Sequence, residues 1–254
     1  MLIAGCVGND KKVTQASPKQ LQVIDELSRQ VKANPDSAGL RMRLINSLDS
    51  LKMYKLAIAQ ADSLIKKDSL NNGLWYTKAQ LQEENKDTSE AIKSYITALN
   101  VYPSVEAQLS LANLYAEKKD IKALSITRNV IGMGLGREND AACNFINGIY
   151  YARLGDKKQA FTYFDKAIND NYILMEAYME KGFIYFDSKN YQQALQIFET
   201  AITINKTYAD GYYWVAKCNE ALGNKQAALL NYQRALGLDK QLNEAAAAIE
   251  RLNS

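Results

Sequence analysis

The chain has 254 residues, 47% of them hydrophobic and 23% charged, with a net charge of +3 from 31 basic and 28 acidic residues. This composition excludes an intrinsically disordered chain, and because no long basic run occurs, a nucleic-acid partner is not supported. The chain contains no histidine, which excludes Ser-His-Asp and Cys-His catalysis within it and removes the commonest metal ligand.

The chain opens on a short apolar segment that ends at a cysteine. Ile3-Ala4-Gly5-Cys6 resembles a bacterial lipobox, whose cysteine is lipidated, and residues 7–17 are polar, as a flexible tether would be. Only five residues precede Cys6, so the basic and most of the apolar parts of a signal peptide are absent. Two interpretations stay open. Either Cys6 anchors a lipoprotein to the periplasmic side of a bacterial cell envelope, or the segment is the frayed N-terminus of a cytoplasmic protein.

A helix and then a repeated pattern follow this segment. Residues 18–33 predict an amphipathic helix, since apolar residues recur there at helical spacing. From residue 38 onwards, alanines recur with a period of 34 residues, apart from one long step of 69. That long step contains Ala123, which lies off register and predicts irregular loops around one repeat. The full alanine series is Ala57, Ala91, Ala160, Ala194 and Ala228.

Two further columns of residues keep the same phase. Small residues recur where two helix backbones would approach closely, and bulkier residues recur where a ring would fill the space between helices. The small column is Ile45, Ala79, Ala112, Gly148, Gly182 and Ala216. The bulky column is Ala61, Tyr95, Thr127, Phe164, Phe198 and Tyr232.

This pattern resembles the tetratricopeptide repeat family, most clearly at residues 175–208. That stretch places Tyr178, Gly182, Tyr185, Ala194 and Phe198 at the family's motif positions. The resemblance implies an all-α fold, a right-handed superhelical solenoid of about six helix-turn-helix repeats. The repeats are predicted at 38–71, 72–104, 105–140, 141–174, 175–208 and 209–242. They follow the N-terminal helix in one domain over 18–254, with a signal remnant and tether at 1–17 and a capping helix at 243–252.

Two other motifs have simple structural interpretations. The glycines of Gly132-Met133-Gly134-Leu135-Gly136 are spaced like a phosphate-binding loop, but that loop requires a β-α-β setting. The segment is therefore predicted to be a loop between repeats that absorbs the register slip. Cys218 is predicted to be a buried core thiol, and a disulfide to Cys143 is excluded because two repeats separate them.

The resemblance also predicts a binding surface. In this family, first-helix positions beside the packing positions face a concave groove that holds a peptide or a helix. The resemblance thus implies a protein-interaction scaffold rather than an enzyme, with a protein or peptide partner and with no metal or cofactor. The corresponding groove positions are Tyr76, Gln80, Asn113, Phe145, Ile149, Met179, Phe183, Tyr213, Trp214 and Lys217.

Three alternatives to this prediction stay open. The aromatic rings could simply pack against neighbouring helices, and truncation of a buried ring costs about 3–5 kcal/mol. If Phe183 and Trp214 are exposed groove residues instead, their replacement with alanine is expected to leave the fold nearly intact and to weaken partner binding. The chain could be a structural subunit that self-associates through an edge of the solenoid. It could also be an enzyme that uses carboxylates of the groove. The candidate carboxylates are Glu106, Glu117, Glu176, Glu180, Asp187, Asp210 and Glu220.

Overall fold

A computed structural model describes residues 17–253, and in that part of the chain every regular element is an α-helix. Helix α1 comes first and α14 comes last, and between them six pairs of consecutive helices are each joined by a tight turn. We call each such pair a hairpin. The predicted all-α repeat fold is confirmed. The helices are α1 (Pro18–Ala33), α2 (Ala38–Ser50), α3 (Tyr54–Ile65), α4 (Asn72–Glu84), α5 (Thr88–Val101), α6 (Val105–Glu117), α7 (Lys122–Gly132), α8 (Arg137–Leu154), α9 (Lys157–Asp170), α10 (Met175–Asp187), α11 (Tyr191–Ile204), α12 (Ala209–Ala221), α13 (Lys225–Leu238) and α14 (Asn243–Asn253).

The chain divides into two compact units, unit 1 over Met1–Ala107 and unit 2 over Gln108–Ser254. In unit 1, α1 packs on the first hairpin and places Ile24, Leu27 and Val31 in its core. In unit 2, α14 packs on α13 and buries Ala245 and Ala248 at the end of the last hairpin. Cys6 lies outside the described residues, so its lipidation stays a prediction. None of the helices in 17–253 is long and apolar enough to cross a bilayer.

The turn inside each hairpin contains one residue in the left-handed conformation, with φ between +59° and +84°. The turn closes on the first helix by backbone hydrogen bonds, such as the one from the Asn190 amide to the Tyr185 carbonyl at 2.9 Å. Glycine fills this position in two hairpins and lysine in four, although an L-residue is disfavoured there by roughly 1–2 kcal/mol. A lysine is tolerated because its cation suits the carboxyl end of a helix. The six residues are Lys52, Lys86, Lys119, Gly155, Lys189 and Gly223.

Replacing one of these lysines with glycine should therefore stabilise the protein. Lys189→Gly is expected to raise the free energy of unfolding by about 0.5–1 kcal/mol, because the gain at positive φ exceeds the lost charge interaction. The matched reciprocal change is Gly155→Ala, whose Cβ would meet open space and whose only cost is backbone strain. Urea unfolding of both variants measures the difference, and a stabilising Gly155→Ala would contradict the assignment of the turn.

The off-register repeat results from the glycine-rich loop. Helix α7 ends at Gly132, and Gly134 and Gly136 have φ values of +64° and +100°. Helix α8 begins directly after them at Arg137 and has 18 residues, whereas the other first helices have 13. It thus begins four residues before the predicted repeat boundary at 140/141, because the positive-φ glycines end the loop there.

In five of the six hairpins, the volumes of the two core columns compensate each other, whereas the third has the two small residues Ala112 and Thr127. A Cβ atom added to Gly182 would lie 2.2 Å from Cε1 of Phe198, and one added to Gly148 would lie 2.5 Å from the ring of Phe164. The predicted close approach of the two helices is confirmed at both places. Where the bulky column has tyrosine, the small column has alanine, and where it has only Ala61, the small column has Ile45.

Candidate functional site

A pocket of about 280 Å³ lies between the first helices of three successive hairpins in unit 2. Four of its lining side chains, from α8, α10 and α12, belong to the predicted groove set: Phe145, Met179, Phe183 and Trp214. Three carboxylates and a phenol complete the lining. These four polar residues are Glu176, Glu180, Tyr208 and Asp210.

The other predicted groove positions do not lie in this pocket. Ile149 is only 2% exposed and belongs to the core. Met179, which does line the pocket, is also almost fully buried, with 4% of its surface exposed. Tyr76 and Gln80 lie in unit 1, the first half-buried and the second exposed. Three further predicted groove residues of unit 2 are half-buried and do not line the pocket: Asn113, Tyr213 and Lys217.

Several groove rings pack against the second helix of their own hairpin. In three hairpins a first-helix ring lies 5.6–5.8 Å, centroid to centroid, from the ring 19 residues later. This contact anchors one side of each ring and leaves the rest of the half-buried side chain towards solvent. The interpretation that these rings pack against neighbouring helices is thus supported, and it does not exclude a binding role. The three pairs are Tyr76–Tyr95, Phe145–Phe164 and Tyr213–Tyr232.

Trp214 is the centre of a larger aromatic cluster, which we define as Phe183, Phe186, Phe198, Tyr213 and Trp214. The Trp214 ring lies 4.7 Å from Phe183, 5.2 Å from Phe186, 5.7 Å from Phe198 and 5.8 Å from Tyr213 between ring centroids. The indole is half-buried and also lines the pocket. The indole therefore connects the hydrophobic core of the hairpin formed by α10 and α11 with the surface of the pocket.

One arginine compensates part of the acidic charge around the pocket. Arg153 donates to Glu117 at 2.8 and 2.9 Å and to Glu180 at 3.1 and 3.3 Å. The hydrogen bond to Glu117, together with that to Glu180, raises the pKa of the guanidinium, although burial acts in the opposite direction. Glu176 and Asp210, in contrast, form no ion pair with any residue in 17–253.

The negative charges of Glu176 and Asp210 influence the pKa of a third residue of the pocket, Tyr208. The pKa of Tyr208 is raised to about 12, first by burial and then by the negative charges of Asp210 and Glu176. A cation already lies beside the aromatic cluster, because Nζ of Lys217 is 5.8 Å from the ring centroid of Trp214. The pocket thus combines an aromatic wall with a negatively charged rim.

Three further candidate groups have structural surroundings that explain them: Glu220 has two partners, and the two cysteines are buried. Glu220 accepts a hydrogen bond from Tyr232 at 2.8 Å and pairs with Arg251 at 2.7 Å. The thiols of Cys143 and Cys218 are buried and free, and burial raises the pKa of each to about 12, which keeps them protonated and poor nucleophiles. In the described part of the chain, no group of three His, Cys, Asp or Glu residues could hold a metal ion.

Comparison with known proteins agrees with this architecture. A crystal structure of a tetratricopeptide repeat protein from Parabacteroides merdae is similar at a TM-score of 0.71 and 17% identity, covering 92% of this chain and 93% of that one. The type IV pilus biogenesis factor PilW is similar at 0.64 and 18%, covering 86% of this chain and 99% of that one. No curated protein matches the chain. Residues 76–123, 175–208 and 209–242 match tetratricopeptide repeats, and the chain belongs to the tetratricopeptide repeat family.

Proposed function

We propose that unit 2 binds a segment of a partner protein in the pocket between α8, α10 and α12. Tetratricopeptide repeats form protein-interaction scaffolds, and the fold supports this general role for the chain. The observation that carries the more specific proposal is the convergence of Phe145, Phe183 and Trp214 on one pocket from three successive hairpins. A segment lying across these helices would contact all three rings.

The chemistry of the lining supports a protein ligand. Aromatic residues are enriched among those that contribute most to binding between proteins, and tryptophan is foremost among them. Their contacts with Phe164 and Phe198 hold the rings in place before a partner arrives, which reduces the entropy lost on binding. An amphipathic helix or an extended segment laid along the first helices would suit such a surface.

Site-specific photo-crosslinking tests this proposal in cells that produce the full chain. With p-benzoylphenylalanine in place of Phe145, we expect a covalent adduct with a partner protein. Mass spectrometry of the adduct should identify a peptide of the partner that is cross-linked at the pocket. The same amino acid in place of Tyr172, which is 68% exposed in the loop after α9, provides the control and should give no adduct with that protein.

The alternative functions give different results in this experiment. An adduct with twice the mass of the chain would indicate self-association through this face and would contradict a foreign partner. Equal capture of the same protein from positions 145 and 172 would show that the pocket has no particular part in binding. Either result would overturn the proposal, as would the absence of any adduct at position 145.

A further inference from the structure

We propose that the pocket between α8, α10 and α12 receives the side chain of a lysine or arginine from the partner segment, an inference that rests on the proposed function. The pocket, at about 280 Å³, is smaller than the roughly 300–1,000 Å³ typical of sites that enclose a drug-sized ligand. Its size suits one long side chain that projects from a bound segment.

The charge of the rim favours a cation. Glu176 and Asp210 both line the pocket, and neither forms an ion pair within residues 17–253. Glu180 supplies a third carboxylate, and Arg153, which pairs with it, is shared with Glu117. One guanidinium therefore compensates two carboxylates, and the rim keeps a negative charge. A basic side chain would find charge-assisted hydrogen bonds here, whereas an acidic one would be repelled.

The aromatic wall explains why a basic side chain fits better than a small inorganic cation. Lysine and arginine have an apolar stem that packs on hydrophobic surface while the charged end stays near carboxylates or water. Phe145, Phe183 and Trp214 provide that surface beside the acidic rim. Their ring faces also attract the cation directly, most strongly in the case of tryptophan.

Lys217 opposes this preference and allows the sign of the interaction to be tested. Its Nζ lies 5.8 Å from the Trp214 ring and 5.9 Å from the Phe186 ring, although the side chain does not line the pocket. Because the positive charge of Lys217 lies so close to the aromatic wall, it weakens the attraction of the pocket for a second cation. Removal of this charge should thus strengthen the binding of a basic side chain and would weaken the binding of an acidic one.

Selection from a phage-displayed library of random peptides on the full chain tests the inference. We expect the enriched peptides to share a lysine or an arginine at one position. In synthetic versions of these peptides, replacing that residue with norleucine or citrulline should weaken binding by about tenfold, as expected for the loss of a hydrogen bond to a charged group. Fluorescence anisotropy at two ionic strengths measures the affinity of each peptide. The difference in affinity between the basic peptide and its uncharged version should be smaller at the higher ionic strength.

Variants of the protein test whether the preference for basic peptides arises in the pocket. The double variant Glu176→Gln, Asp210→Asn should lose most of the tenfold discrimination, and Lys217→Gln should increase the affinity for basic peptides. Glu250→Gln, an exposed glutamate of α14 that lies outside the pocket, is the matched control and should behave as the wild type. Because Glu176 and Asp210 are exposed, circular dichroism should show that the double variant is folded.

Failure of this inference and failure of the proposed function give different results. Peptides that bind the wild type and are lost with Phe145→Ala, but share no basic residue or prefer an acidic one, would overturn the inference and leave the proposed function intact. If no peptide is enriched, or if the enriched peptides bind Phe145→Ala as tightly as the wild type, both are overturned.

Discussion

Gly182→Leu is expected to lower the free energy of unfolding by about 3 kcal/mol or more, and Gly182→Ala by about 1–3 kcal/mol. Even the single Cβ of alanine would lie 2.2 Å from Cε1 and 2.4 Å from Cζ of Phe198. Phe198 is completely buried and is itself packed against Phe183 and Trp214. Its ring therefore has no free space into which it could move, and the two helices must separate.

The protein contains a matched control for this change. Gly237 lies in α13, and a Cβ there would meet no atom within 4 Å. Gly237→Ala should raise the free energy of unfolding by up to about 1 kcal/mol, because alanine favours a helix. Chemical denaturation of both variants gives the comparison, and equal effects at positions 182 and 237 would show that the contact with Phe198 does not limit the packing.

A compensating substitution makes this test more specific. If the cost of Gly182→Ala arises from the Phe198 ring, then Phe198→Leu should reduce that cost, and the two substitutions should be less destabilising together than the sum of their separate effects. The chain itself shows this compensation, since Ile45 and Ala61 occupy the equivalent positions in the first hairpin. Strict additivity in the double-mutant cycle would contradict the direct contact.

The repeat fold could be predicted from the sequence because the same residues recur in phase. A buried alanine such as Ala194 and a buried ring such as Phe198 are required by the packing of two helices, and this requirement is the same in every hairpin. The left-handed residue of each hairpin turn was harder to predict. At Gly155 and Gly223 the turn shows in the sequence, but lysine at Lys189 gives no comparable signal, because its positive φ is imposed by the helices on either side.

The candidate site could be predicted only in part. The repeat pattern places candidate side chains on successive first helices, but it does not show how far each side chain is buried or which of them line a pocket. Ile149 lies in the core and Phe145 is half-buried although they are one helical turn apart, because burial depends on the neighbouring helices. The carboxylates were similarly indistinguishable in sequence. Only the structure shows that Glu180 is paired with Arg153, while Asp210 forms no ion pair with any residue that the structure describes.

A second effect expected to be large is that of Trp214→Ala. From the sequence, Trp214 and Phe183 were expected to be exposed groove residues whose truncation leaves the fold nearly intact. In the structure, the indole contacts four rings of the aromatic cluster. Because a buried aromatic residue truncated to alanine costs about 3–5 kcal/mol and Trp214 is half-buried, we expect a loss of about 2–4 kcal/mol.

The same variant should also bind the partner segment more weakly, and the two effects can be separated. Leu230→Ala, an exposed residue of α13, is the control and should change stability by less than about 0.5 kcal/mol. Trp214→Phe should recover much of the stability, because a smaller ring can still contact Phe183 and Phe198, but it presents less surface to the pocket. Binding is measured at a temperature at which circular dichroism shows all variants to be folded. If Trp214→Ala left stability within the range of Leu230→Ala, the indole would be a surface residue, and its proposed position between the core and the pocket would be wrong.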